Sequence, residues 1–305
     1  MTARRPAKAR ARTEARNPAT AALDAMSAPG IARLINREDA TVARAVSRAL
    51  PAIAAAIDAI AKALASGGRL IYVGAGTSGR LAALDAAECP PTFGTKSGAV
   101  QFVIAGGPRA LTSATEISED SAASGRCDLA RRKPGSNDVV VGIAASGRTP
   151  YTVAALALAR RRGATTIAVT CNPGTPLQRA AHIAIVLPTG PEVVAGSTRM
   201  KAGTAQKMVL NMLSTGAMAR LGFVYGDLMV NVHQKNRKLR ERALATLSAA
   251  TGLSRPAASR SLKSASGSLP VALVMVKRRV SPSEAQRRLR AARGHVRRAI
   301  EGNHE

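Results

Sequence analysis

No tryptophan occurs among the 305 residues of this chain, and three tyrosines and three phenylalanines bring the aromatic share to only 2%. Modules that stack nucleic-acid bases on aromatic platforms are therefore not expected. A core must instead be built from Ala, Val, Leu, Ile and Met, closely packed by many small side chains. Cysteine is scarce too. Cys89, Cys127 and Cys171 are far apart, with no CxxC pair and no histidine at metal-ligand spacing, so neither a disulfide framework nor a zinc site is expected, and the reducing cytoplasm is the expected compartment. The four histidines, His182, His233, His295 and His304, form no Ser-His-Asp, Cys-His or HExxH arrangement. No segment supplies 18 or more uncharged apolar residues, and no apolar run follows the basic N-terminal residues Arg4, Arg5, Lys8, Arg10, Arg12 and Arg16, so neither a membrane span nor a secretion signal is expected. Acidic residues are in short supply as well: 18 Asp and Glu face 45 Lys and Arg, a formal charge of +27. Such a field attracts polyanions without selectivity. The basic residues gather in the first sixteen positions and from Lys235 onward, where a solvated surface is the simpler reading and an anionic contact the alternative.

What is present is enough for an enzyme-sized core, since 46% of the residues are hydrophobic. Residues 1–20 are poor in large apolar groups and are expected to form a disordered basic tail. From Asp39 to Ala65, apolar residues such as Val42, Val46, Ile53, Ile57 and Ile60 recur in steps of three and four, predicting one or two helices started or broken at Pro51. Short apolar runs then alternate with helical stretches. Strands are predicted at Leu70–Val73, Gln101–Ile104, Asp138–Ile143, Thr166–Thr170 and His182–Leu187, and their continuous apolar character suits a doubly wound parallel α/β sheet of about five strands. Two long helices, Thr198–Leu221 and Tyr225–Leu247, would close a domain spanning 21–247. A small helical C-terminal unit is predicted over 248–305, punctuated by Gly252, Pro256, Gly267 and Pro282. Its Thr251–Ser254 turn superficially resembles a helix-turn-helix, but no specific nucleic-acid partner is expected.

Two loops stand out. The first strand runs into Gly74-Ala75-Gly76-Thr77-Ser78-Gly79-Arg80, a glycine-rich turn opening a helix, whose N–H groups and positive helix end favour an anion. It formally matches GxGxxG, yet the second strand ends in Ala105-Gly106-Gly107 without the acidic residue a dinucleotide site requires. Gly76, Thr77 and Ser78 therefore suit a phosphate monoester, with helix capping as the plainer alternative. The third strand ends in Ala144-Ala145-Ser146-Gly147-Arg148-Thr149-Pro150, the same style of loop. Ser146, Gly147, Arg148 and Thr149 are the matching candidates, although Ser146 and Thr149 could merely cap the helix at Tyr151 and Arg148 could face water. Two such loops would share one crevice at the carboxyl ends of parallel strands, where one phosphosugar could touch both.

With both loops in place, the chain resembles the sugar-isomerase domain family. The run from Gly190 to Lys207, GPEVVAGSTRMKAGTAQK, resembles a signature shared by muramic acid phosphate etherases and glucokinase regulatory proteins. The etherase branch is favoured by Leu84–Gly94, by Glu116–Ser121 and by Val139–Tyr151, similar in order and spacing. The resemblance covers about residues 22 to 300. The basic N-terminal extension, the Arg-rich C-terminus and the Glu116–Ser118 stretch depart from the pattern. The resemblance implies a homodimer with the crevice near the subunit interface, a C-terminal helical piece that does not read DNA, and removal of a lactyl ether from carbon 3 of a phosphorylated amino sugar. It also implies ring opening, loss of a proton from carbon 2, elimination of lactate and re-addition of water, with no metal and no cofactor.

On that resemblance Glu88 matches the acid that protonates departing lactate and Glu119 the base at carbon 2; the sequence itself leaves open which carboxylate makes which transfer. Partial burial beside Cys89, Pro90 and Pro91 would raise the Glu88 pKa towards neutrality. Exposed helix-end carboxylates are the plainer reading of both. Glu192 stands evenly between site residue and loop carboxylate. Lys201 and Lys207 read as helix-surface cations, with a phosphate contact as the alternative. His182 is expected in a strand core, and packing is expected of His233. Met208, Met212 and Met218 read as core. The competing reading is a non-catalytic phosphosugar-sensing regulatory protein, though such chains carry two sugar-isomerase domains where one fits here.

Overall fold

A computed structural model describes residues 12–113, 116–231 and 237–302. The basic stretch before Arg12, His233, Lys235 and His304 lie outside them. The described residues fall into two compact units: the chain up to Ala86 with Val100–Leu213, and Ala87–Ala99 with the chain from Ser214 onward.

The first unit begins with three helices, α1 (Ala28–Asp39), α2 (Val42–Ser47) and α3 (Leu50–Ala65), with Pro51 in the first turn of α3, where its missing N–H costs nothing. There follow β1 (Leu70–Gly74), α4 (Gly76–Phe93), β2 (Val100–Ile104), α5 (Ala122–Ala130), β3 (Val139–Ile143), α6 (Pro150–Arg161), β4 (Thr165–Thr170), α7 (Pro176–Arg179), β5 (Ile183–Val186) and α8 (Lys201–Arg220); α4 and α8 continue into the second unit. The five strands pair in parallel in the order β2-β1-β3-β4-β5. Leu70 at the start of β1 is in register with Val100 and Val139 on either side. β1 and β3 are buried along their whole length, as a parallel sheet covered on both faces requires. One face packs Ile71, Val73 and Val140 against Tyr151, Leu156 and Leu177. All five strands thus occur within a residue or two of their predicted places.

At the amino end of the sheet Arg69 and Asp138 lock β1 to β3. Asp138 Oδ1 accepts from Arg69 N at 2.9 Å and Nε at 3.1 Å, while Oδ2 accepts from Arg69 Nη2 at 2.7 Å and Gly135 N at 3.0 Å. Burial pushes the Asp138 carboxyl up, but these donors together hold it below its ordinary value. Asp138→Ala should therefore cost about 2 to 3 kcal/mol in urea unfolding, because it removes the ion pair and leaves Arg69 N and Gly135 N without their acceptor. Since the folded-state pKa is depressed, this contribution is present above the unfolded value of about 3.9 and disappears as pH falls through the folded one, so wild type and Asp138→Asn should converge in strong acid.

Two expectations are corrected here. Residues 12–20, expected to be a disordered tail, form 3-10 turns at Arg12–Glu14 and Pro18–Thr20. Thr13 is fully buried, its Oγ1 accepting from Asn172 Nδ2 at 3.1 Å, and Arg12 N donates to Asn172 Oδ1 at 2.8 Å. Tyr225–Leu247 is not one helix. Val224–Tyr225 and Leu228–Met229 form an antiparallel hairpin (β6, β7) around Gly226-Asp227, and α9 runs Arg237–Thr251.

The second unit adds α10 (Arg255–Ser264), α11 (Leu269–Arg278), α12 (Pro282–Ala291) and α13 (Val296–Glu301). Ser268, Ser281 and His295 cap the last three through their side chains. Val230, Leu247, Leu262, Leu273 and Val296 share its core, and Tyr225 and Leu228 of the hairpin pack against it. The hairpin and α9 therefore join this helical unit, which begins well before residue 248. No helix among the described residues is long and apolar enough to cross a membrane.

Candidate active site

β1 and β3 are neighbours, but β1 connects outward to β2 while β3 leads the opposite way to β4 and β5. Ligands in open parallel sheets bind at such a switch point, beyond the carboxyl ends of the strands. A crevice of about 200 Å³ lies there, and it gathers Gly76, Thr77 and Ser78 from the first loop, Ser146 and Thr149 from the second, and Glu119 from the 3-10 turn Glu116–Glu119. Larger cavities, of about 650 Å³ against β2 and α5 and about 470 Å³ beside Arg16–Asp24, have no such meeting of loops.

Ser78 is buried, and its Oγ donates to Gln206 Oε1 of α8 at 2.9 Å, while Gln206 Nε2 is buried without a partner among the described residues. Half a turn of that amide would let Nε2 donate to Ser78 and free the hydroxyl proton for a ligand. Thr149 stands at the start of α6 yet makes no capping bond, and Ser146 Oγ accepts from Arg148 N at 3.1 Å, so capping of α6 does not occupy these hydroxyls. Glu119 comes close to Gly76, where a Cβ would lie 2.8 Å from its Oε1, and the φ of +50° at Gly76 favours glycine. The carboxylate thus rests by the first turn of α4, where the helix dipole favours negative charge.

Three sequence candidates fall elsewhere. Gly147 does not line the crevice; its φ of +65° and the closeness of Thr170 and Thr175 give it a role in turning the loop. Arg148 is exposed and its side chain is not part of the lining. Glu88, expected to be partly buried, is exposed. It stands ten residues beyond Ser78 on α4, about 15 Å of helical rise, and does not line the crevice.

Several residues of the long signature prove architectural. Glu192 is fully buried and caps α8, accepting from Lys201 N and Ala202 N at 2.9 Å each. Burial pushes its carboxyl above the ordinary value, against the pull of those donors and of Lys201. Lys201 is no surface cation: it is 3% exposed and its Nζ meets Glu38 Oε2 at 2.7 Å. That hydrogen bond holds the Glu38 carboxyl down despite desolvation. Lys207 is exposed. His182, expected in a strand core, is exposed just before β5, with Nδ1 within bonding distance of Thr166 N and Oγ1. Burial pushes the Cys171 thiol up to about 12, so it is no nucleophile. Among the described residues no cluster of His, Cys, Asp and Glu could hold a metal ion. Reading the sequence missed Glu14 and Thr198, which also line the crevice.

An open parallel sheet with hydroxyl-lined loops meeting at its β1/β3 switch point defines a sugar-isomerase-type domain. Family models agree: that of the glucokinase regulatory protein N-terminal SIS domain matches residues 52–160, and that of the SIS domain matches 115–216. At full length, the chain is 50% identical to an N-acetylmuramic acid 6-phosphate etherase of Geobacillus thermodenitrificans over 95% of this chain and 98% of that one. It is 51% identical to the enzyme of that name from Aeromonas hydrophila over 93% and 95%, and 50% identical to that of Salmonella typhi over 95% and 97%. The chain belongs to the N-acetylmuramic acid 6-phosphate etherase family. Relatives of that name at about 50% identity over 93–95% of the chain favour the etherase reading over the regulatory-protein one.

Proposed function

We propose that the chain is a lyase that removes the D-lactyl ether of N-acetylmuramic acid 6-phosphate, giving N-acetylglucosamine 6-phosphate and D-lactate in the recycling of cell-wall amino sugars. The observation that carries this reading is the meeting of the Ser78 and Ser146 loops with the Glu119 carboxylate in one crevice. The hydroxyls of Thr77, Ser78, Ser146 and Thr149, with the N–H groups opening α4, take the phosphate. Glu119 then faces the sugar.

Ether oxygen leaves poorly, so the ring opens first and the aldehyde acidifies the proton on carbon 2. Glu119 removes that proton, the carbon 3–oxygen bond breaks, and an acid protonates the departing lactate. Water adds to the resulting double bond, its hydroxyl to carbon 3 and a proton to carbon 2. Each positioned proton transfer is worth about 100- to 10,000-fold. The acid is Glu88, and we assign it to the crevice of a second copy in a homodimer. Two observations support this. The α4 rise carries Glu88 away from the loop that anchors phosphate. Large apolar side chains also stand in water on the single chain, namely Leu84 at 52%, Val194 at 50% and Ile117, two residues before Glu119, at 92%. Three cysteines that form no disulfide among the described residues suit the cytoplasm as its compartment.

The test is incubation with N-acetylmuramic acid 6-phosphate in doubly labelled water, without added metal or nucleotide. Label should enter the carbon 3 hydroxyl and carbon 2 of the product. Label in lactate instead would mean cleavage on the other side of the ether, and absence of lactate would end the reading.

A further inference from the structure

We infer that Glu14 is a substrate-orienting residue: a carboxylate on the N-terminal strap that receives hydrogen bonds from hydroxyl or amide N–H groups of the sugar and sets which way round the phosphosugar lies. The inference rests on the phosphosugar reading above and goes beyond it, since Glu14 belongs to neither of the two loops nor to the pair Glu88 and Glu119.

The strap is built to hold residue 14 in place. Asn172, itself 4% exposed, takes Arg12 N on Oδ1 at 2.8 Å, and its Nδ2 donates both to Thr13 Oγ1 at 3.1 Å and to Ala145 O at 3.0 Å. Ala145 immediately precedes Ser146. One buried amide therefore ties the strap directly to the second phosphate loop. Thr13, flanking Glu14, is wholly buried, whereas Glu14 is exposed and lines the crevice. Opposite it stands Gly196 of the long signature, where a Cβ would come within 3.3 Å of Glu14 Oε2. Among the described residues the Glu14 carboxylate has no hydrogen-bond or ion-pair partner of its own.

Charge then fixes the orientation. Glu14 and Glu119 put two carboxylates in the same crevice as the hydroxyls of Ser78, Ser146 and Thr149. A phosphate is repelled by the former and received by the latter. The neutral donors of the sugar are what two acceptor-only groups can bind. A charged acceptor meeting a neutral donor in a partly enclosed site is worth about 10- to 100-fold in affinity.

Calorimetry on the full chain, with N-acetylglucosamine 6-phosphate and inorganic phosphate as probes, tests this on wild type, Glu14→Gln and Glu14→Ala. Sugar-phosphate affinity should fall about 10- to 100-fold in Glu14→Ala and less in Glu14→Gln, which keeps a carbonyl acceptor, while phosphate affinity stays the same. In turnover the loss should sit mainly in KM. Unchanged sugar-phosphate binding would overturn the inference, and so would equal weakening of both probes together with a lowered Tm, which marks a structural strap. Glu14-dependent sugar binding without lactate release would sink the etherase reading and leave this one standing.

Discussion

Glu119→Gln should lower lactate release by about 100- to 10,000-fold while inorganic phosphate inhibits the variant as it does the wild type. Glutamine keeps the size of the side chain and one acceptor oxygen, so the contact with Gly76 and the shape of the crevice survive. What is lost is the capacity to take a proton. Phosphate is assigned to the hydroxyls and helix ends, not to Glu119, so its binding is the control that separates lost chemistry from lost architecture. Exchange of the carbon 2 proton with solvent should fall together with lactate release. Were Glu119→Gln to keep exchange and lose only lactate, Glu119 would be the acid of the elimination and not its base.

The sheet was legible because parallel strands covered on both faces must be apolar throughout, and Leu-Ile-Tyr-Val or Val-Val-Val-Gly-Ile between helical stretches has few other readings. The two loops were legible for the same reason, since each directly follows such a strand. The hairpin at 224–229 was not, because Val-Tyr and Leu-Met on either side of Gly-Asp also satisfy a helical apolar period. Residues 12–20 were misread on composition alone: their order comes from Thr13 meeting Asn172, 159 positions away, and no local pattern announces such a bond. Glu14 was missed with them. The long signature was recognised as a pattern, but what it does physically appears only in three dimensions, where Glu192 caps α8, Lys201 pairs with Glu38, and Gln206 bonds Ser78. Glu88 is the converse case, a residue supported by resemblance that stands exposed ten residues beyond Ser78 on α4 and is not among the residues lining the crevice.

That position leads to the second large effect. Glu88→Ala and Glu119→Ala should each abolish lactate release alone, yet a mixture of the two, unfolded and refolded together, should recover about a quarter of wild-type activity. In a twofold-symmetric dimer each crevice takes its base from one chain and its acid from the other. Random pairing makes about half of the dimers mixed, and each mixed dimer has one doubly damaged crevice and one intact, hence about one intact site in four. If both carboxylates served the crevice of their own chain, no pairing could assemble an intact site and the mixture would stay dead. A mixture that stays dead while size-exclusion chromatography shows mixed dimers would return Glu88 to its own chain's site or remove it from the chemistry. Recovery would explain why an etherase leaves one of its two carboxylates in water on the isolated chain: the exposed end of α4 is the half of the active site that each subunit supplies to its partner.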